Sequence, residues 1–75
     1  MVQIKAQMAG TVFSIPVNVG DKLEIGNTVM ILESMKMEIP VESEVAGVVK
    51  AINVAEEDFV NEEDVLVVVE QTLPF

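Results

Sequence analysis

The chemistry open to this chain is set first by what it lacks. It contains no histidine, cysteine or tyrosine, so the usual general base, thiol nucleophile and zinc ligands are missing. Paired carboxylates such as Glu33 and Glu38 could in principle exchange protons with a substrate, but a core built from so few residues offers little room for a pocket that would hold one. No catalytic residue and no metal site are expected. What remains is four lysines. Lys5 lies near the first strand, Lys22 in the Gly20 turn, and Lys50 opposite Phe13 in an internal repeat of the chain, all places where a lysine simply meets solvent. Lys36 is different. It is the centre of Glu33-Ser34-Met35-Lys36-Met37-Glu38, with Thr28 to Leu32 before it and Ile39 to Val41 behind it. Two β-rich segments around a lysine predict a hairpin with the amine at its tip. Tight hairpin turns favour Asn, Asp and Gly, which tolerate positive φ, yet this tip carries two methionines. Methionine is unbranched and polarizable, so the pair makes an adaptable apolar collar for whatever is attached to, or docks on, the amine.

The elements that must position Lys36 follow from the rest of the chain. Met1 to Ala6 alternates and reads as a short strand, and Gly10 opens a second one that runs to Val17. Pro16 cannot donate to a ladder, so this strand lies at an edge or leaves its sheet there. Asn18-Val19-Gly20-Asp21 is a turn, Leu23 to Ile25 a very short strand, and Gly26-Asn27 a turn before Val29 to Glu33. After the lysine hairpin the chain repeats itself. Placing Gly47 under Gly10 sets an offset of 37, and the register then holds without a gap: Val12 on Val49, Ile15 on Ile52, Val17 on Val54, Asp21 on Asp58, Leu23 on Val60, Val29 on Leu66, Ile31 on Val68 and Glu33 on Glu70. Matching apolar positions imply two similar β units that bury their faces against each other about a pseudo-two-fold axis. Val12 and Ile15, three residues apart, cannot share a face of an unbroken strand, and the same holds for Val49 and Ile52. A bulge or corner is therefore expected in each half. No helical period with caps occurs. The expected fold is all-β: a flattened β-barrel or sandwich of about eight short strands in two small antiparallel sheets.

Under the same offset Lys36 falls on Leu73, so the hairpin tip and the chain end are expected at opposite ends of the molecule.

Composition narrows the partners. Seventy-five residues make one domain and bury only about 60% of the unfolded surface, so the core must be saturated. With 13 acidic residues against 4 basic ones the net charge is −9, which excludes electrostatic binding to nucleic acid or an anionic membrane. Glu56-Glu57-Asp58 and Glu62-Glu63-Asp64 read as solvated turns. The absence of cysteine, of a signal-like start and of an apolar run near 20 residues makes the cytoplasm the default location.

Glu33 to Glu38 resembles the Ala/Ser-Met-Lys-Met attachment motif of biotin carboxyl carrier domains, and the resemblance spans nearly the whole chain. It implies one biotinyl/lipoyl-attachment domain over residues 1–75 with the barrel-sandwich hybrid fold, which the duplication, with repeats at about 8–33 and 45–70, supports independently. It implicates Lys36 as the lysine that carries covalent biotin, Met35 and Met37 as its motif neighbours, and Glu33 and Glu38 as contacts for the biotin protein ligase. The further partners it implies are a biotin carboxylase, which loads the cofactor using ATP and bicarbonate, and a carboxyltransferase, which passes the carboxyl group to an acyl-CoA or a keto acid. The domain would then be a monomeric carrier for a biotin-dependent carboxylase, with an acyl-CoA as the favoured acceptor, and not itself an enzyme. Lipoyl carriers look similar but usually have Asp-Lys-Ala at this hairpin. A lipoyl carrier, or one that accepts both biotin and lipoate, is the alternative, with a bare interaction module as a third class. The segment between Gly10 and Gly20 is too short for the thumb-like insertion of some carriers, so the domain looks thumbless. It reads as either a small independent carrier or an excised domain.

Overall fold

A computed structural model describes residues 1–72. Eight strands follow one another: β1 (Val2–Lys5), β2 (Gly10–Ser14), β3 (Lys22–Leu23), β4 (Thr28–Ser34), β5 (Met37–Glu42), β6 (Gly47–Ile52), β7 (Phe59–Val60) and β8 (Val65–Gln71). They form two antiparallel four-stranded sheets, one ordered β1-β8-β6-β3 and the other β5-β4-β2-β7. The second order is the first with each strand replaced by its repeat mate. Adding the 37-residue offset carries β1 onto β5 as well, so the repeated unit starts at the first strand, earlier than Gly10 and Gly47, from which the sequence register was set. The Leu73 position expected to mirror Lys36 lies outside the described residues.

The core is filled by equivalent residues from both halves. Val12 and Val49, Leu23 and Val60, Val29 and Leu66, Met30 and Val67, and Leu32 and Val69 are all buried, most of them completely. Each such aliphatic side chain removed from water contributes about 1.5–3 kcal/mol. The register of β2 against β4 shifts between Val12 and Ser14, and that of β6 against β8 shifts between Val49 and Ala51. These are the two expected bulges. They let Val12 and Val49 point inward while Ile15 and Ile52 still pack against the core. Pro16 follows the end of β2, and Pro40 lies in the edge strand β5, where no ladder donor is lost on the outer side.

Several readings change. A second pair of irregularities, between Thr28 and Met30 and between Ile4 and Lys5, buries two consecutive residues, Val29-Met30 and Leu66-Val67, and turns Ile31 and Val68 to half-buried outer positions. The strand read as Leu23 to Ile25 is Lys22–Leu23: Lys22, read as a turn residue, pairs with Val48, and Ile25 falls in the Glu24–Asn27 turn. The second strand, read as running to Val17, ends at Ser14, ahead of Pro16.

Four of the connecting turns are built alike. In each, the N–H of the fourth residue donates to the carbonyl of the first, as in Asp21 to Asn18 at 3.0 Å and Asp58 to Ala55 at 3.1 Å. The Asx side chain also accepts from the first residue's N–H: Asp21 from Asn18, Asn27 from Glu24, Asp58 from Ala55 and Asp64 from Asn61. The third residue has positive φ. It is Gly20 or Gly26 in the first half and Glu57 or Glu63 in the second.

Candidate functional site

β4 and β5 pair in register from Leu32↔Ile39 through Glu33↔Glu38 to Ser34↔Met37. Only Met35 and Lys36 are left to make the turn. Both are left-handed, with φ of 53° and 65°, as the two central residues of a type I′ hairpin must be, a turn whose backbone twist matches that of the flanking strands. For L-residues with a Cβ this conformation costs about 1–2 kcal/mol each. The turn thus keeps two side chains that are poor for its own geometry, and the well-paired ladder beneath holds them there.

Lys36 is at the apex and exposed, with Met35 89% and Met37 59% exposed on either side. No ion pair involves Lys36 among the described residues; the one ion pair found there joins Lys50 to Glu70 at 3.5 Å between two exposed side chains and adds little to stability. The amine therefore has open approach from outside. Glu33 and Glu38 stand directly opposite each other one rung below the closing pair Ser34 and Met37, both exposed. The sequence-read residues Glu33, Met35, Lys36, Met37 and Glu38 all gather at this one tip.

The support of the tip was less legible. Gly10 begins β2 beside the end of β4. A Cβ added there would come within 2.9 Å of the Glu33 carbonyl oxygen and 3.7 Å of the Ser34 Cβ, so only glycine lets β2 approach the hairpin root this closely. Thr11 pairs with Glu33 on one side and Phe59 on the other. One rung of the sheet thus reads Glu38, Glu33, Thr11, Phe59, on the face opposite buried Val12 and Leu32. Phe59 is 65% exposed and Phe13, two residues beyond Thr11, is 50% exposed. The sequence reading had placed no function on either phenylalanine.

There is also more concave space than the small core suggested. A groove of about 720 Å³ runs between the edge strands β1 and β5, lined by Ile4, Met8, Ile39, Val41 and Val45 with Glu42 and Glu44 among its polar lining. The chain splits into two sheets whose edges do not meet there, which leaves the gap. None of the five tip residues lines it. Among the described residues there is no cluster of three or more metal-capable side chains.

An acylated lysine at this apex would meet no wall, and two flexible thioethers flank it, so the site fits a covalently carried group. Comparison with known proteins points the same way. The chain is 51% identical over 63 residues to a biotin/lipoyl attachment protein of Bacillus subtilis, covering 84% of this chain and 86% of that one. It is 42% identical over 64 residues to the biotin carboxyl carrier protein of Streptococcus mutans, covering 85% of this chain but 49% of the relative. Among solved structures it superposes with a TM-score of 0.89 on a single-chain, multi-domain long-chain acyl-CoA carboxylase, at 28% identity, covering 95% of this chain and 7% of that one. The family described as biotin-requiring enzyme matches residues 2–69, and the chain belongs to that biotin/lipoyl-attachment family.

Proposed function

We propose that this protein is a biotin carboxyl carrier whose Lys36 is the attachment point, serving a biotin-dependent carboxylase in the cytoplasm. The observation that carries the reading is the apex itself: an exposed lysine between two exposed methionines, held left-handed at the end of a rigid ladder. In the charging step a biotin protein ligase presents the acyl-adenylate of biotin. The neutral Nζ of Lys36 attacks the acyl carbon, the amide C–N bond forms, the acyl C–O bond to phosphate breaks, AMP leaves, and the proton passes to solvent or to a base of the ligase.

Once attached, biotin supplies a ureido nitrogen that can bear a carboxyl group. This chain's part is mechanical. The tight turn fixes where the arm begins, Met35 and Met37 give it an apolar base, and the rigid body keeps it at high effective concentration near a biotin carboxylase and a carboxyltransferase. Similarity to a long-chain acyl-CoA carboxylase and, equally, to a urea carboxylase supports service to a carboxylase, and we propose an acyl-CoA as the acceptor class.

The test is an intact mass after co-expression with a biotin ligase and, separately, a lipoate ligase, followed by peptide mapping. A biotin-sized adduct on Lys36, lost in a folded Lys36→Ala variant, supports the reading. A lipoyl adduct alone, or biotin on another lysine, overturns it.

A further inference from the structure

The two halves share a backbone but not a surface. Under the 37-residue offset Phe13 corresponds to Lys50 and Phe59 to Lys22. The mates occupy equivalent structural positions: Phe13 and Lys50 are the unpaired residues of the two bulges, and Phe59 and Lys22 open the two-residue strands β7 and β3. Lysine at both positions of one sheet demonstrates that the fold does not need an aromatic there. Yet the sheet bearing the lysine hairpin carries phenylalanine at both, 50% and 65% exposed. Burial in the core does not account for them.

Their placement does. Phe59 ends the rung Glu38, Glu33, Thr11, Phe59, about 14 Å across three strand spacings. Phe13 lies one step further from the tip on the same outer face. Half-buried Ile31 and exposed Pro40, which pair with each other, continue that face beside Phe13. The result is an apolar patch beside an acidic pair, on the rungs just below the turn that holds Lys36. Val19 and Ile25 are also exposed where the second half has Glu56 and Glu62, but their turns bond to Val49 and Ser43, away from the tip.

We propose that this outer face is the docking surface for the ligase that acylates Lys36, and that Phe13 and Phe59 are its apolar anchors, with Glu33 and Glu38 meeting basic groups on the rim. The proposal rests on Lys36 being the attachment point. Reach singles out the ligase among the enzymes that visit the tip. A bare lysine has only its four-carbon stem, so the enzyme that modifies it must close over the hairpin root and meet the first rungs of the sheet. Enzymes that act on the finished, longer arm can work at a greater distance. Exposed aromatics beside a polar rim are the usual makings of a protein-binding anchor.

The experiment gives each phenylalanine its repeat mate's residue, as Phe13→Lys with Phe59→Lys in the full-length protein, and measures initial rates of biotinylation against carrier concentration. The expected result is a rise in KM of tenfold or more, kcat within twofold, an unchanged thermal midpoint, and complete modification of Lys36 at long times. Lys22→Phe with Lys50→Phe should leave KM unchanged. If the double variant loses its thermal transition, Phe59→Lys alone is measured instead, with a threefold or greater rise expected. Wild-type protein charged at Lys36 together with an unchanged variant KM overturns the docking surface and spares the carrier reading. Failure of the wild type to be charged at Lys36 overturns both. An unaltered KM with impaired delivery to the carboxylase would assign the face to that enzyme and also overturn the proposal.

Discussion

Glu33 and Glu38 face each other across the β4–β5 ladder, on the second rung below the turn that presents Lys36. Like charges directly opposed in an antiparallel pair destabilise it by a few tenths of a kcal/mol up to about 1. A carrier selected only to be stable would not keep them. Glu33→Gln or Glu38→Gln is therefore expected to stabilise the domain by roughly 0.3–0.8 kcal/mol, read as a raised urea midpoint, while slowing biotinylation several-fold. A faster rate with either variant would remove these carboxylates from ligase contact.

The methionines pose a related test. Replacing Met35 by Asp and Met37 by Ala gives the tip the Asp-Lys-Ala sequence usual in lipoyl carriers. Aspartate tolerates the left-handed backbone that Met35 adopts at φ 53°, so the double variant is expected to be at least as stable as the parent. It should nevertheless lose biotin ligase activity tenfold or more and gain as a lipoate ligase substrate, measured by competitive charging and mass spectrometry. An undiminished rate of biotinylation would mean that the thioethers are not read by the ligase.

Much of this site could be seen in the sequence because one residue type had no structural reason to be where it was. Methionine at a hairpin tip contradicts turn chemistry, and the contradiction marked Lys36. The repeat made the fold legible for a similar reason: Val12 and Ile15 on impossible faces demanded the bulge that the register between Val12 and Ser14 displays. What stayed hidden were lateral relationships. Thr11, Glu33 and Phe59 are far apart in the chain and become neighbours only once β2 is inserted between β4 and β7, which no spacing announces. The offset did place Phe13 on Lys50, but a lysine in an apolar run reads as a solvated exception until both residues are seen on equivalent outer faces. Ile31 and Val68 misled because alternation counted from Val29 ignores the irregularity at Thr28 to Met30.

The repeat also isolates what a left-handed residue costs. Gly20 and Gly26 have φ of 98° and 94°, and their mates Glu57 and Glu63 hold φ of 76° and 77° in turns with the same hydrogen bonds. A side chain in this region costs about 1–2 kcal/mol, and glycine recovers it while giving back about 0.4–1 kcal/mol through a freer unfolded chain. Glu57→Gly and Glu63→Gly are each expected to stabilise the domain by about 0.5–1 kcal/mol. Gly20→Ala and Gly26→Ala should destabilise it by similar amounts, since nothing crowds a Cβ at either glycine and only the backbone conformation objects. Chemical denaturation of the four variants, with m-values compared to exclude changes in the unfolded state, reads the difference. Because the turns of Gly20, Gly26 and Glu63 bond to Val49, Ser43 and Ala6, away from the lysine hairpin and its outer face, charging rates should not move in those three variants. A loss of stability in Glu57→Gly would mean that the glutamate side chain makes a favourable interaction large enough to outweigh its backbone strain.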